Sequence, residues 1–189
     1  MLTIYLIRHG EVHNPKGIIY GHLPGYGLSH KGREQLVQAA GLLEEQGPFQ
    51  ALYVSPLQRA QESAQILGEH LGLGLSTEPL IVETGVGGYQ GQLFSALPRP
   101  YMTEEATVPG IECAASIRRR FLSWVRAMLE RHAGGQLIAV SHRDPIAVSL
   151  LYWMGMGLDE LPEFPLEPGG VYQVRLETAD RAAQVEALG

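Results

Sequence analysis

A chain of 189 residues is long enough for one substantial core and short for two independent domains. Its 45% apolar and 18% charged residues are ordinary for a soluble globular protein, and its formal charge of −6 argues against a broad nucleic-acid-binding surface. Any anion that so acidic a chain binds must be met locally, by a few arginines. No apolar run approaches the roughly 18 residues that a membrane helix needs. One cysteine, Cys113, excludes an intrachain disulfide and fits a reducing compartment. The N-terminal apolar run has no basic head and passes straight into Arg8 and His9, so no signal peptide is expected. These features predict a cytoplasmic protein with no membrane and no nucleic-acid partner.

Leu2-Thr3-Ile4-Tyr5-Leu6-Ile7 reads as a first strand that stops abruptly at Arg8-His9-Gly10-Glu11. Residues 29–46 read as a helix, with Leu36, Ala39, Ala40 and Leu43 at helical spacing, Ser29 as N-cap and Gly47-Pro48 as the stop. Residues 51–54 form a short strand. Ser55-Pro56 then opens a second helix, serine as cap and proline in the first turn, with its stripe Ala60, Ala64, Leu67 and Leu71 ending at Gly72. Residues 84–110 are rich in glycine and proline and show no periodicity. They read as a loop-rich lid over one edge of the sheet, with room for a short helix.

Periodicity returns at Ile117, Phe121, Trp124, Val125 and Met128, an amphipathic helix that ends at Gly134-Gly135. Residues 137–141 are an apolar run of strand length, and Asp144-Pro145 begins another helix with Asp144 as cap. Residues 171–176 alternate as a late strand. Strand and helix thus alternate throughout. The fold class is α/β: a single domain over 1–189 with a mostly parallel central sheet, helices on both faces and a lid insertion at about 84–110.

Polar residues collect at strand ends and helix starts, where ligands bind in parallel α/β sheets. His9 there can serve as base, ligand or nucleophile, and the planar fork of Arg8 suits a phosphate-like group. Arg59 stands in the first turn of its helix, where the dipole also favours an anion. Ser141-His142-Arg143 follows a strand and precedes a helix, and Glu83 ends the stretch Leu80-Ile81-Val82 before a glycine-rich loop. No pair of histidines has the spacing of a helical zinc motif, so neither a metal nor another cofactor is expected.

The ordered set of these segments resembles the histidine phosphatase superfamily, which includes the cofactor-dependent phosphoglycerate mutases. The resemblance is carried by Arg8-His9-Gly10-Glu11, then Asn14 and Gly21, then Leu28-Ser29 with Gly32. It continues through Ser55-Pro56-Leu57-Gln58-Arg59-Ala60, Glu83 with Gly87-Gly88-Tyr89-Gln90-Gly91, Gly110 with Glu112, and Val140-Ser141-His142. It implies that His9 attacks phosphorus and that Arg8, Arg59 and His142 surround the phosphoryl group. It also implies that Glu83 protonates the leaving oxygen and then activates water. Asn14 and Gly21 would complete the substrate loop. The chain departs from the pattern at Arg143, where glycine is usual, at Tyr89, where tryptophan is frequent, and in a shortened spacer before Asn14. Arg143 has two readings, a substrate contact and a surface ion-pair partner.

The implied activity is that of a metal-independent phosphomonoesterase, like a histidine acid phosphatase, acting on a small phosphorylated metabolite. A mutase shares every core residue, but Arg99 is the only basic residue in the lid to hold a substrate carboxylate. A phosphate-binding module without catalysis is the third reading, and it should lack a histidine or the acid; neither is missing.

Overall fold

The structure is a computed structural model and describes residues 1–188. Six strands form one sheet: β1 (Leu2–Arg8), β2 (Ala51–Val54), β3 (Leu75–Thr77), β4 (Gln136–Ser141), β5 (Val171–Leu176) and β6 (Gln184–Leu188), in the order β3-β2-β4-β1-β5-β6. The four strands β3, β2, β4 and β1 run parallel, and β5 and β6 add an antiparallel edge. Four helices complete the domain: α1 (His30–Glu44), α2 (Gln58–Leu71), α3 (Ala114–Arg131) and α4 (Arg143–Met154). None of the helices among the described residues is long and apolar enough to cross a membrane.

The central strands read as unbroken apolar runs because both faces of the sheet are covered. Alternate side chains of β1 point to opposite sides. Leu2, Ile4 and Leu6 join Phe121, Trp124 and Trp153 of α3 and α4 in one core, while Tyr5 and Ile7 join Leu36, Leu43 and Leu67 of α1 and α2 in the other. The predicted stripes of α1 and α3 are buried at every named position.

Several boundaries differ from the sequence reading. The α2 helix begins at Gln58 with Leu57 as N-cap, and Ser55 lies outside it, turned toward His142. The α4 helix begins one residue before Asp144 with His142 at the cap, so Asp144 is a first-turn residue. Both shifts have one cause: each side chain has a tertiary partner that outcompetes local capping. The edge strands β3 and β6 were not predicted, because exposed and half-exposed residues carry no apolar signal. Leu80-Ile81-Val82 belongs to a 3-10 turn at Pro79–Ile81 and its exit rather than to a strand. The lid holds two further 3-10 turns, at Gly87–Tyr89 and Phe94–Ala96. It joins the loop after β1 through the bridge between Ile18 and Leu93.

Two glycines lock the end of β1 against α1. A Cβ on Gly32 would collide with the Glu11 carbonyl, and one on Gly10 would collide with the Gly32 carbonyl. Ser29 caps α1 by accepting the Gly32 N–H at 3.0 Å and also donates to the Glu11 carboxylate at 2.8 Å, so the helix start and the loop form one unit. Gly32→Ala should therefore lower the urea midpoint by the equivalent of about 1–3 kcal/mol, the range for overpacking a tight contact. An unchanged midpoint would mean that the loop yields freely.

Candidate active site

Adjacent strands bring the site residues together. Arg8 is in register with Ser141 across β1 and β4, and Val54 with Val140 across β2 and β4. The next residues of the three strands, His9, Ser55 and His142, therefore emerge side by side at the sheet's C-terminal end. The two histidine rings lie 5.0 Å apart at 61°.

Each ring has its orientation fixed by hydrogen bonds. His9 Nδ1 lies 2.8 Å from the Gly10 carbonyl oxygen, which only accepts, so Nδ1 carries the proton. Arg59 Nε donates to His9 Nε2 at 3.2 Å, which leaves a lone pair at Nε2. Burial first, then Arg59, holds the His9 pKa well below the ordinary histidine value, against the pull of the Gly10 carbonyl. On the neighbouring strand, His142 Nε2 is 2.6 Å from Ser55 Oγ, while buried Nδ1 has no hydrogen-bond partner. Burial and the Arg59 charge keep His142 neutral as well. Ser55 and His142 share one proton across this contact, and with the hydroxyl as donor the His142 proton sits on Nδ1.

Arg59 is held on three sides. It donates Nη2 to the Gly21 carbonyl at 3.0 Å, and its guanidinium carbon lies 4.7 Å from the Tyr20 ring centroid. Ser63, one turn along α2, donates to the Arg59 carbonyl at 2.7 Å and accepts the Gly10 N–H at 3.2 Å, tying the helix to the loop that carries His9. Gly21 adopts φ +43, and a side chain there would press on Gln90 and Val86. Arg8 gives Nη1 to the Leu166 carbonyl at 2.7 Å, and its Nε is buried without a partner.

Glu83 approaches from the other side. Ser141 donates to the Ile81 carbonyl at 2.7 Å, and Glu112, paired with Arg120, accepts the Gly85 N–H at 3.3 Å; together they fasten the segment. One Glu83 oxygen accepts the Thr84 N–H at 2.8 Å, and the other lies 3.9 Å from His142 Nδ1. Burial and the nearby Asp144 charge push the Glu83 carboxyl up to about 7, against Arg59 and the Thr84 N–H. A group poised near 7 can give or take a proton at neutral pH.

A cavity of about 200 Å³ opens over this arrangement, with Arg8, Gly21, Glu83 and Arg143 in its lining. His9, Arg59 and His142 sit behind that lining, each 2% exposed or less. Thus Arg8, His9, Arg59, Glu83, His142 and Gly21 converge. Asn14 does not line the cavity: its amide donates to the Ile18 carbonyl at 2.9 Å and accepts the Ile18 N–H at 3.3 Å. Arg143 reaches the lining, but its Nη2 is bound to the Leu161 and Pro162 carbonyls at 2.8 and 3.0 Å.

Ser55, Ser63, Tyr20 and Asp144 are site components that sequence reasoning missed. Serines beside a histidine strand end or on a helix carry no signal by themselves. Ser55 and Ser63 stood in the segment that carries Arg59, and Asp144 was read as a helix cap, but none was read as part of the site.

His9, Glu83 and His142 also present ligand atoms within 4.8 Å of one another, a separation that a metal ion can bridge. Arg59 donates to the relevant His9 nitrogen, and Arg8 adds a second positive charge. The set is therefore suited to an anion rather than to a cation.

A family model described as the histidine phosphatase superfamily (branch 1) matches residues 4–188. An uncharacterized protein of Mycobacterium tuberculosis, Rv0525, is 34% identical over 167 residues, which cover 82% of this chain and 80% of the relative. The 2,3-bisphosphoglycerate-dependent phosphoglycerate mutase of Thermoplasma acidophilum is 30% identical over 169 residues, 85% of this chain and 80% of the relative. A crystal structure of a mutant phosphoserine phosphatase from Entamoeba histolytica, in complex with phosphoserine, superposes with a TM-score of 0.82 at 22% identity. It covers 100% of this chain and 96% of its own, a likeness of fold.

The two buried neutral rings fix the sign of one pH effect. As pH falls through about 6.5, unfolded histidines take up protons, whereas folded His9 and His142 stay neutral well below that value. Stability is therefore lost as pH drops below about 6.5, partly offset by Glu83, whose folded carboxyl binds its proton near 7 and before the unfolded one does. Imidazole 15N NMR at about pH 5.5 should find both rings uncharged, with the His9 proton on Nδ1. A doubly protonated His9 would be the contrary result.

Proposed function

The chain belongs to the histidine phosphatase superfamily, branch 1, and we propose that it is a metal-independent phosphomonoesterase that hydrolyses a small phosphorylated metabolite through phosphohistidine at His9. The observation that carries this reading is the state of His9. Its proton is held on Nδ1 by the Gly10 carbonyl, and its Nε2 lone pair faces a guanidinium inside an arginine-lined site.

An incoming phosphoryl group offers Arg59 a charged acceptor better than a neutral imidazole nitrogen. Arg59 then turns from Nε2 onto the phosphoryl oxygens and frees the lone pair. Arg8, through its unpartnered Nε, and His142, through Nδ1–H, take up the remaining oxygens. The Nε2–P bond forms as the P–O bond to the alcohol breaks, and protonated Glu83 gives its proton to the leaving oxygen. Water then attacks phosphorus, Glu83 recovers a proton from it, the N–P bond breaks, and inorganic phosphate leaves with His9 restored. Ser55 acts through His142, by fixing which nitrogen carries the proton. Asn14 and Arg143, bound to backbone, shape the cleft rather than grip phosphate.

Hydrolysis is favoured over mutase transfer by the scarcity of cations: Arg99 is the only basic residue in the lid. The Thermoplasma relative keeps the rival reading in view. Incubation with 3-phosphoglycerate and a bisphosphoglycerate primer separates them, since isomerisation without phosphate release marks a mutase and a hydrolase gives none.

His9→Ala should abolish both turnover and the acid-labile phosphoenzyme; persistence of either sinks the proposal. Glu83→Gln should lower kcat by about 10²–10⁴-fold on alkyl phosphates. Its effect on p-nitrophenyl phosphate, whose leaving group needs no proton, should be much smaller. Activity should decline as pH rises through about 7, where Glu83 loses its proton, and persist on the acid side until His9 is protonated well below 6.5. A pH–rate profile without the alkaline decline would remove Glu83 from the acid role.

A further inference from the structure

The cavity differs in character away from the phosphoryl end. Ile19, Val86, Phe94 and Leu97 give it an apolar wall, and Asp144 supplies a second carboxylate to the lining besides Glu83. Asp144 is 9% exposed. Its oxygens accept the Tyr101 hydroxyl at 2.9 and 3.0 Å and the Thr84 hydroxyl at 3.4 Å, which fixes the carboxylate within the wall.

The cations of this lining are Arg8 and Arg143, and both have partners. Arg8 faces the phosphoryl end and donates to Leu166, while Arg143 donates to the Leu161 and Pro162 carbonyls and, at 3.4 Å, to Asp144 itself. Arg8 serves the phosphoryl end and Arg143 is turned onto backbone carbonyls and Asp144, so beyond the phosphoryl end the lining offers a substrate carboxylate a fixed acid and no cation free of partners. A second hollow of about 400 Å³, lined in part by Pro100, Met102, Leu158 and Leu161, adjoins the cavity at Tyr101 and Arg143, which line both. Apart from Arg99 and Arg143, its lining residues are apolar or aromatic.

We propose that the alcohol of the hydrolysed ester is uncharged and largely apolar and extends past Tyr101 into the second hollow, and that Asp144 rejects esters carrying a carboxylate near the phosphate. This rests on the phosphomonoesterase reading and narrows it to a substrate class. The class differs from phosphoserine and phosphoglycerate, each of which places a carboxylate three bonds or fewer from the ester oxygen. An apolar alcohol gains by leaving water against the cavity wall, whereas a carboxylate loses hydration and meets a like charge in a site of reduced dielectric.

The test compares kcat/KM for phosphate release from 2-(1-naphthyl)ethyl phosphate and from 3-phosphoglycerate, both alkyl esters, at about pH 6, where Glu83 holds its proton for either ester. The wild-type protein should favour 2-(1-naphthyl)ethyl phosphate, an alkyl ester like 3-phosphoglycerate, by at least roughly 30-fold, a ratio within reach of one like-charge contact. Equal or greater preference for 3-phosphoglycerate overturns the inference and leaves the phosphomonoesterase reading standing. Absence of turnover and of phosphoenzyme with every ester overturns that reading instead. Asp144→Asn should narrow the ratio by about 10-fold; an unchanged ratio removes Asp144 from substrate choice. Leu158→Glu, at a half-buried wall position, should reduce kcat/KM several-fold more for 2-(1-naphthyl)ethyl phosphate than for ethyl phosphate. Equal losses on the two esters would exclude the second hollow.

Discussion

The parallel pairing of β1 with β4 is the constraint on which the cleft is built. Arg8 opposite Ser141 places His9 beside His142, and β2 on the far side of β4 brings Ser55 to the same edge. Side chains alternate along a strand, so a slip of one residue would send one histidine to the opposite face. The contact of Gly10 with Gly32 then fixes how far the chain runs before it turns, and Ser63 ties that turn to the helix carrying Arg59. His9, the Gly10 carbonyl and Arg59 are thus positioned by strand register, backbone contacts and the short Ser63 side chain rather than by long flexible ones.

Charge burial is the second organising fact. Two arginines and two carboxylates lie around two neutral imidazoles, and burial pulls both arginines, both histidines and Glu83 toward their uncharged forms. Burial lowers Arg8 and Arg59, with the nearby Glu83 opposing. For Glu83 the neighbouring Asp144 adds to burial and carries the carboxyl to about 7. One acid therefore tunes the other. The same Asp144 anchors the lid through Tyr101, so the group that raises the Glu83 carboxyl also shapes the cavity wall.

The alternation of apolar runs and helical stripes was enough to read the α/β class, the four helices and the four strands with buried faces. Arg8, His9, Arg59, Glu83 and His142 were legible because strand ends and helix starts concentrate polar residues in this architecture. β3 and β6 were not, since exposed edge strands lack the alternation that burial imposes. Ser55 and Asp144 were read as helix caps because local hydrogen bonding is all that sequence spacing can express. Asn14 was read as a substrate contact from its place in the motif, yet its amide is taken by Ile18 four residues on.

The sequence by itself thus determined the candidate site residues and the family to which the chain belongs, because their order along the chain follows the order of strands and helices. Only the tertiary structure decided the protonation state of those residues and the company they keep. The proton on His9 Nδ1, the raised Glu83 carboxyl and the unpartnered Nδ1 of His142 each depend on groups distant in the chain. Burial and electrostatic coupling act through space, so spacing along the chain does not encode them. The strand-end histidine was readable from its neighbours in sequence; its lone pair was set by its neighbours in the fold.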